Sequence, residues 1–169
     1  MSIVEMQFLF DYYSWASAHI LRATEKVSNE QFTRVRDYCQ RSLRATLVHA
    51  LSSERNWRAR WQGSTLLTDL DEQTFPTPTS LRTYWKQQEQ EMRTFLTSIQ
   101  EEDLNRRIEG VTDEGTSYVD LVWHSMIHVL FHGAQHRSEA AEILTEYGFS
   151  PGELDFFVFL RQKDRDKRA

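Results

Sequence analysis

The chain has 169 residues, six glycines, three prolines, a single cysteine and a formal charge of -5. That length suits one domain burying roughly 70% of its unfolded surface, and the lone Cys39 excludes an internal disulfide and suits a reducing, cytoplasmic setting. The acidic balance gives no general field for nucleic acid, and no apolar run approaches the length of about eighteen residues that a membrane span needs.

Apolar residues recur mostly at three and four, and alternating runs are scarce, so the sequence predicts an all-α protein. A first helix is expected over about 3–26, with Phe8, Tyr12, Trp15 and His19 or Ile20 along one side. Its start carries Glu5 and Asp11 and lacks a basic leader. "SNEQ" at 28–31 restarts the chain, with Ser28 and Gln31 placed for a capping box.

A second long helix is expected from about Ser42 to Gln62, with Leu43, Leu47, Ala50, Leu51, Trp57 and Trp61 as its buried stripe and Gly63 as its stop. The threonine- and proline-bearing stretch 63–79 reads as a loop. A third helix should start near Thr79 or Ser80 and run to about Ile99, turning Leu81, Trp85, Met92 and Leu96 inward. "GVTDEGTSY" at 110–118 is a turn-rich link with room for a two-stranded excursion.

The fourth helix, about Ser117 to Tyr147, is apolar almost all round from Val119 to Phe131, which predicts the most enclosed helix of the set. After Gly148, "SPGE" at 150–153 offers Ser150 as a cap and Pro151 as a first helical residue, and "LDFFVFLRQ" at 154–162 makes a short C-terminal helix. The expected architecture is therefore a four-helix bundle with short additional helices, one domain over 1–162 followed by a charged, disordered tail at 163–169.

Four of the six histidines fall in "WHSMIHVLFHGAQHR" at 123–137, with His124, His128, His132 and His136 at steps of four. Each step drifts about 40° round a helix and rises about 6 Å, so only a consecutive pair can converge on one ion. Such a pair is half a metal site. Histidines at this spacing more often simply pack or face water, and the HExxH signature of zinc proteases is absent. Four in register strengthen the metal reading, because crowded imidazoles repel once charged. His49 is the natural third ligand from another helix. Its neighbours Ser42, Ala45, Thr46, Ser53 and Asn56 form a small, polar stripe that faces either bulk water or a wet cleft. His19 competes from the first helix but sits beside an apolar stripe, where it would close the core.

The segments "YYSWAS" at 12–17, "SLRATLVHALSSERNW" at 42–57, "HVLFHGAQHR" at 128–137 and "GFSPGELD" at 148–155, in this order, make the chain resemble the DinB-like (DinB/YfiT-type) superfamily of metal-binding four-helix bundles. The superfamily includes bacterial thiol-dependent transferases. The resemblance implies that His49, His132 and His136 bind a divalent metal. Family members often continue the last motif as His-Arg-Gly-Gln, whereas this chain has "HRSE", keeping Arg137 but adding Ser138 and Glu139. Glu139 would either orient His136, as carboxylates commonly do for ligating histidines, or be an ordinary exposed glutamate, the reading slightly favoured by sequence. His124 is expected to be structural and the tryptophans to be core or rim; His128 would hydrogen-bond within the site or substitute as a ligand, and Glu54 either matches a glutamate that recurs in the family motif or pairs with Arg58 four residues on.

Three imidazoles leave coordination positions for water or substrate. Zinc and nickel suit such ligands best, with iron and manganese as alternatives. The activity the resemblance implies is transfer between a small-molecule thiol and an electrophilic substrate. The alternatives are a non-catalytic, stress-associated metal-binding protein or a metal-dependent hydrolase. No recognition helix or basic groove points to nucleic acid, and the aromatic 154–160 segment suggests a homodimer.

Overall fold

The computed structural model describes residues 1–36, 41–64, 68–111 and 115–168; Cys39 lies outside them. Their elements are α1 (Ile3–Thr24), the short α2 (Asn29–Thr33), α3 (Leu43–Trp61), α4 (Pro78–Ser98), β1 (Arg107–Val111), β2 (Ser117–Leu121), α5 (Val122–Glu146) and α6 (Phe156–Asp166). α1, α3, α4 and α5 form the bundle of a mostly helical protein. Side chains close the starts of these helices: Ser2 and Glu5 form a capping box for α1, Ser28 and Gln31 do so for α2, and Ser42 caps α3. Each such cap contributes about 1 kcal/mol.

Two apolar clusters reveal how the helices run. One gathers Ile20 and Ala23 of α1, Leu43 and Leu47 of α3, Leu81 and Trp85 of α4, and Ala140 and Leu144 of α5. The other gathers Met6 and Phe10 of α1, Trp61 of α3, Met92 and Phe95 of α4, and Val122 and Met126 of α5. Thus α1 and α5 run from the second cluster to the first, and α3 and α4 run the opposite way. Consecutive parallel helices need a connection that returns along the bundle, roughly 28 Å for the 19-residue α3. That requirement explains the long segment between Trp61 and Pro78. Where described, it docks on α3: Ser52 Oγ and Asn56 Nδ2 donate to Asp69 Oδ1, and Leu70 N donates to Ser52 Oγ.

Between the two clusters lies a polar layer crossing all four helices. Tyr13 and Ser17 of α1, Glu54 and Arg58 of α3, Gln88 of α4, and His136 and Arg137 of α5 are all buried.

Several boundaries differ from the sequence expectation, each for a local reason. α4 starts at Pro78 because Thr77 caps it and Ser80 bonds back to it, with proline occupying the first helical position where no N–H is needed. The stretch Ser117–Leu121 is the second strand of an antiparallel hairpin with Arg107–Val111, so α5 begins only at Val122. α5 is less enclosed than expected: Val119 belongs to the hairpin and, like Phe131, is exposed. Ser150 Oγ accepts from Gly152 N in a turn, and Asp155 caps α6 instead. α6 then runs on through Asp166, into the segment expected to be a disordered tail, and Lys163 Nζ lies 2.6 Å from Asp11 Oδ2. On α1 the core stripe is Met6, Phe10, Tyr13, Ser17 and Ile20, while Phe8, Tyr12 and Trp15 pack their rings against Phe156 and Phe159 of α6.

Candidate metal centre

α3 and α5 pack side by side, and the groove between them brings His49, His132 and His136 together. The three rings are neighbours, with centroids 5.2 Å apart for His49 and His132, 4.8 Å for His49 and His136, and 4.4 Å for the helical pair. One ring nitrogen from each lies within 4.8 Å of the others. His132 Nε2 and His136 Nε2 are 3.2 Å apart. A tetrahedral ion with bonds of about 2.0–2.1 Å separates its nitrogen ligands by roughly 3.3 Å. The α5 pair is therefore already at the spacing such an ion would need, and His49, on α3, is the third member of the cluster.

The protonation chemistry agrees with that geometry. Burial, then the neighbouring His136 and His49, push His132 down to about 4. Burial, then His136 and Arg41, also lower His49. Both rings are neutral near pH 7 and present lone pairs without a proton to displace. His136 Nδ1 donates to Glu139 Oε2 at 2.7 Å. That bond places the ring hydrogen on Nδ1 and leaves Nε2 to face the centre, the arrangement by which carboxylates orient ligating histidines. Burial alone would raise Glu139, but the bonds from His136 and Gln135 hold its carboxyl below the ordinary range. The sequence preference for a merely exposed Glu139 is corrected: the side chain is half-buried and engaged with His136.

The centre opens into a cavity of about 400 Å³ lined by Arg41, Thr46, Gln135, Glu139, Glu142 and Ile143 beside the three histidines. Its size lies within the usual range for small-ligand sites. Of the small, polar stripe around His49, only Thr46 lines this cavity, while Asn56 bonds to Asp69. The other histidines stay outside the cluster. His128 is exposed, its ring 5.6 Å from His132 and 5.6 Å from Trp57. His124 pairs weakly with Asp120 at 3.7 Å, and His19 Nδ1 bonds to Trp15 O within α1.

A family model, the DinB family, matches residues 2–167. The chain belongs to the DinB family. The crystal structure of a DinB family member protein from Shewanella denitrificans shares the fold, with a TM-score of 0.57 at 18% identity over 88% of this chain and 84% of that one. No curated protein matches the chain.

In this DinB-family bundle the sequence analysis missed the buried layer behind the histidines. Glu54 does not pair along its helix at the surface. It is buried, with Oε2 lacking a hydrogen-bond partner among the described residues, and burial pushes it up to about 7 against the pull of Tyr13, Arg58 and Arg137. Arg58 instead reaches Gln88 O, Gln88 Oε1 and Glu91 Oε2 on α4. The signal was present in the stripe Leu47, Leu51, Glu54, Arg58, Trp61, where charged residues occupy core-spaced positions.

Proposed function

We propose that this DinB-family protein binds one divalent metal ion through His49, His132 and His136, and that the site is that of a metalloenzyme. The observation that carries this reading is the meeting of three imidazoles from two helices, with the α5 pair 3.2 Å apart and Glu139 orienting one of them. An all-imidazole set favours zinc or nickel, with iron or manganese as alternatives. When bound, such an ion would supply Lewis acidity that lowers the pKa of a coordinated thiol or water.

The chain's own residues account for the rest. His49, His132 and His136 leave positions open toward the cavity, where a small molecule can approach. Arg41 offers positive charge at its wall, and Glu142 and Gln135 offer hydrogen-bond acceptors. Thiol transfer from a low-molecular-weight thiol to an electrophile is the activity class we assign; hydrolysis would use the same ligands. A non-catalytic reading keeps the ion as a tie between α3 and α5, which the location of ligands on two helices supports.

The described helices include none long and apolar enough to cross a membrane. Our reading places the protein in the cytoplasm, where a lone cysteine stays reduced. It also includes a homodimer, for which the exposed Phe131 and Phe157 provide apolar surface. Sedimentation at high concentration tests that part.

Elemental analysis tests the core of the proposal. Protein as isolated should carry about one divalent ion per chain, and His49→Ala, His132→Ala and His136→Ala should each lose most of it. Full retention in all three variants would end the assignment. Turnover of electrophiles with glutathione, bacillithiol or mycothiol that disappears on chelation would support the enzyme; a clean negative across thiols and esters favours the tie.

A further inference from the structure

Each α5 ligand is followed by a residue turned about 100° further round the helix. These are Gly133 and Arg137, and they face α1 instead of α3. Between them lies the buried ring of Tyr13. A methyl group on Gly133 would overlap Tyr13 Cε2 and stand 2.9 Å from both Cζ and the hydroxyl oxygen. Arg137 covers the ring, its Cζ 4.4 Å from the centroid, and its Nη1 lies 3.5 Å from Ser17 Oγ. The Tyr13 hydroxyl also interacts with the Glu54 carboxyl, across the bundle on α3. One side chain of α1 is therefore seated in a notch that glycine leaves in α5, capped by the next turn of α5, and tied to α3.

We infer that Tyr13, held by Gly133 and Arg137 and linked to Glu54, is a positioning residue that fixes the rotation and height of α5, so that His132 and His136 meet His49 at ligand spacing. The inference rests on the metal-site reading above. Its leverage is geometric. A turn of α5 by about 10° would carry a ring nitrogen roughly 7 Å from the helix axis through about 1.2 Å. Metal–ligand distances tolerate only about 0.2 Å. A packed stop against rotation thus matters to the ligand set in a way that general core packing does not. Tyr13 does not line the cavity of the three histidines, and it meets α5 at Gly133 and Arg137, so its influence passes through α5.

The test compares Gly133→Ala with Phe75→Leu, a core change in the segment before α4 where Phe75 packs on Tyr84. Both should lower the melting temperature of metal-free protein. At temperatures where each variant is fully folded, Gly133→Ala should weaken Zn²⁺ binding by about tenfold or more, the range found when groups that orient ligands are lost. It should also shift the visible bands of the Co²⁺-loaded protein, while Phe75→Leu leaves both affinity and bands as in wild type. Adding Tyr13→Leu to Gly133→Ala removes the ring that the methyl strikes, so the double variant should lose less affinity than the two single losses combined. Unchanged affinity and bands in a folded Gly133→Ala variant would overturn the inference. Should Gly133→Ala fail to fold, Tyr13→Leu alone must show the same loss. Should wild type take up no metal, the metal reading fails, and histidine-ring NMR of metal-free protein decides the positioning claim: shifted His132 and His136 signals in Gly133→Ala but not in Phe75→Leu support it, and unmoved signals overturn it.

Discussion

On the α3-facing side of α5, His49, His132 and His136 line an open cavity; toward the bundle centre, Tyr13, Glu54 and Arg137 are closed in between two apolar clusters. Burial acts on both groups by disfavouring charge, and the consequences are opposite. His49 and His132 are driven down, so these two rings stay neutral near pH 7. The Glu54 carboxyl is driven up toward neutrality in a layer that also holds Arg58 and Arg137. The difference teaches that one helix can carry an open histidine cluster and a closed polar layer on adjacent faces. Desolvation keeps His49 and His132 neutral in the first and makes the second sensitive to every lost partner.

The comparison is broken most severely at Arg137. Arg137→Ala leaves the Glu54 carboxyl and the Tyr13 hydroxyl without their nearest cation on α5 and removes the cover of the Tyr13 ring. Stripping partners from buried polar groups costs about 1–3 kcal/mol for each group left unsatisfied, more for a charged one. Urea unfolding of metal-free protein at pH 7.5 should show a loss of that order. His132→Ala under the same conditions should change stability little, because the residue is half-exposed and its removal relieves crowding among imidazoles. Equal losses in the two variants would mean that the clusters do not differ in the way argued.

How much of this was legible before the structure follows from the same contrast. The helices and the His49, His132, His136 grouping could be read because spacing at three and four marks a helix face, and because the order of "SLRATLVHALSSERNW" and "HVLFHGAQHR" carries a family resemblance. The hairpin was blurred because Val119 and Leu121 extend the apolar pattern of α5. The polar layer was misread because Glu54 and Arg58 stand four apart, the spacing of a surface pair, and only the packing of α1 and α4 shows that both are inside. Glu139 was undecided because its distance from His136 depends on a rotamer. Tyr13 lay hidden in a helix where the more conspicuous stripe, Phe8, Tyr12 and Trp15, serves α6.

A pH series sharpens the inner half of the comparison. Glu54 has its ordinary value near 4.5 when unfolded and about 7 when folded, so the native state holds the proton more tightly. The stability this contributes is complete below about 4.5 and is lost as pH rises toward 7. The gap corresponds to roughly 3 kcal/mol at most. Metal-free wild type should therefore weaken from pH 5.5 to pH 8 in denaturant titrations. Glu54→Gln, which keeps the shape of the protonated acid, should flatten that limb. A limb of unchanged slope in the variant would show that another group carries it.

The outer half responds to acid with the opposite sign and a smaller size. His132 is held at about 4 against an ordinary 6.5, so the unfolded chain takes the proton first. Its contribution is complete above about 6.5 and is lost as pH falls toward 4. Because the ring is half-exposed, water and salt screen the penalty, and about 1 kcal/mol is a fair expectation. His132→Gln should remove this part of the acid limb in metal-free protein. Metal loading should steepen the same limb, since protons then compete with the ion for His49, His132 and His136 together. An acid limb identical in loaded and metal-free protein would place the ion elsewhere, and the open face of α5 would be only a crowd of rings.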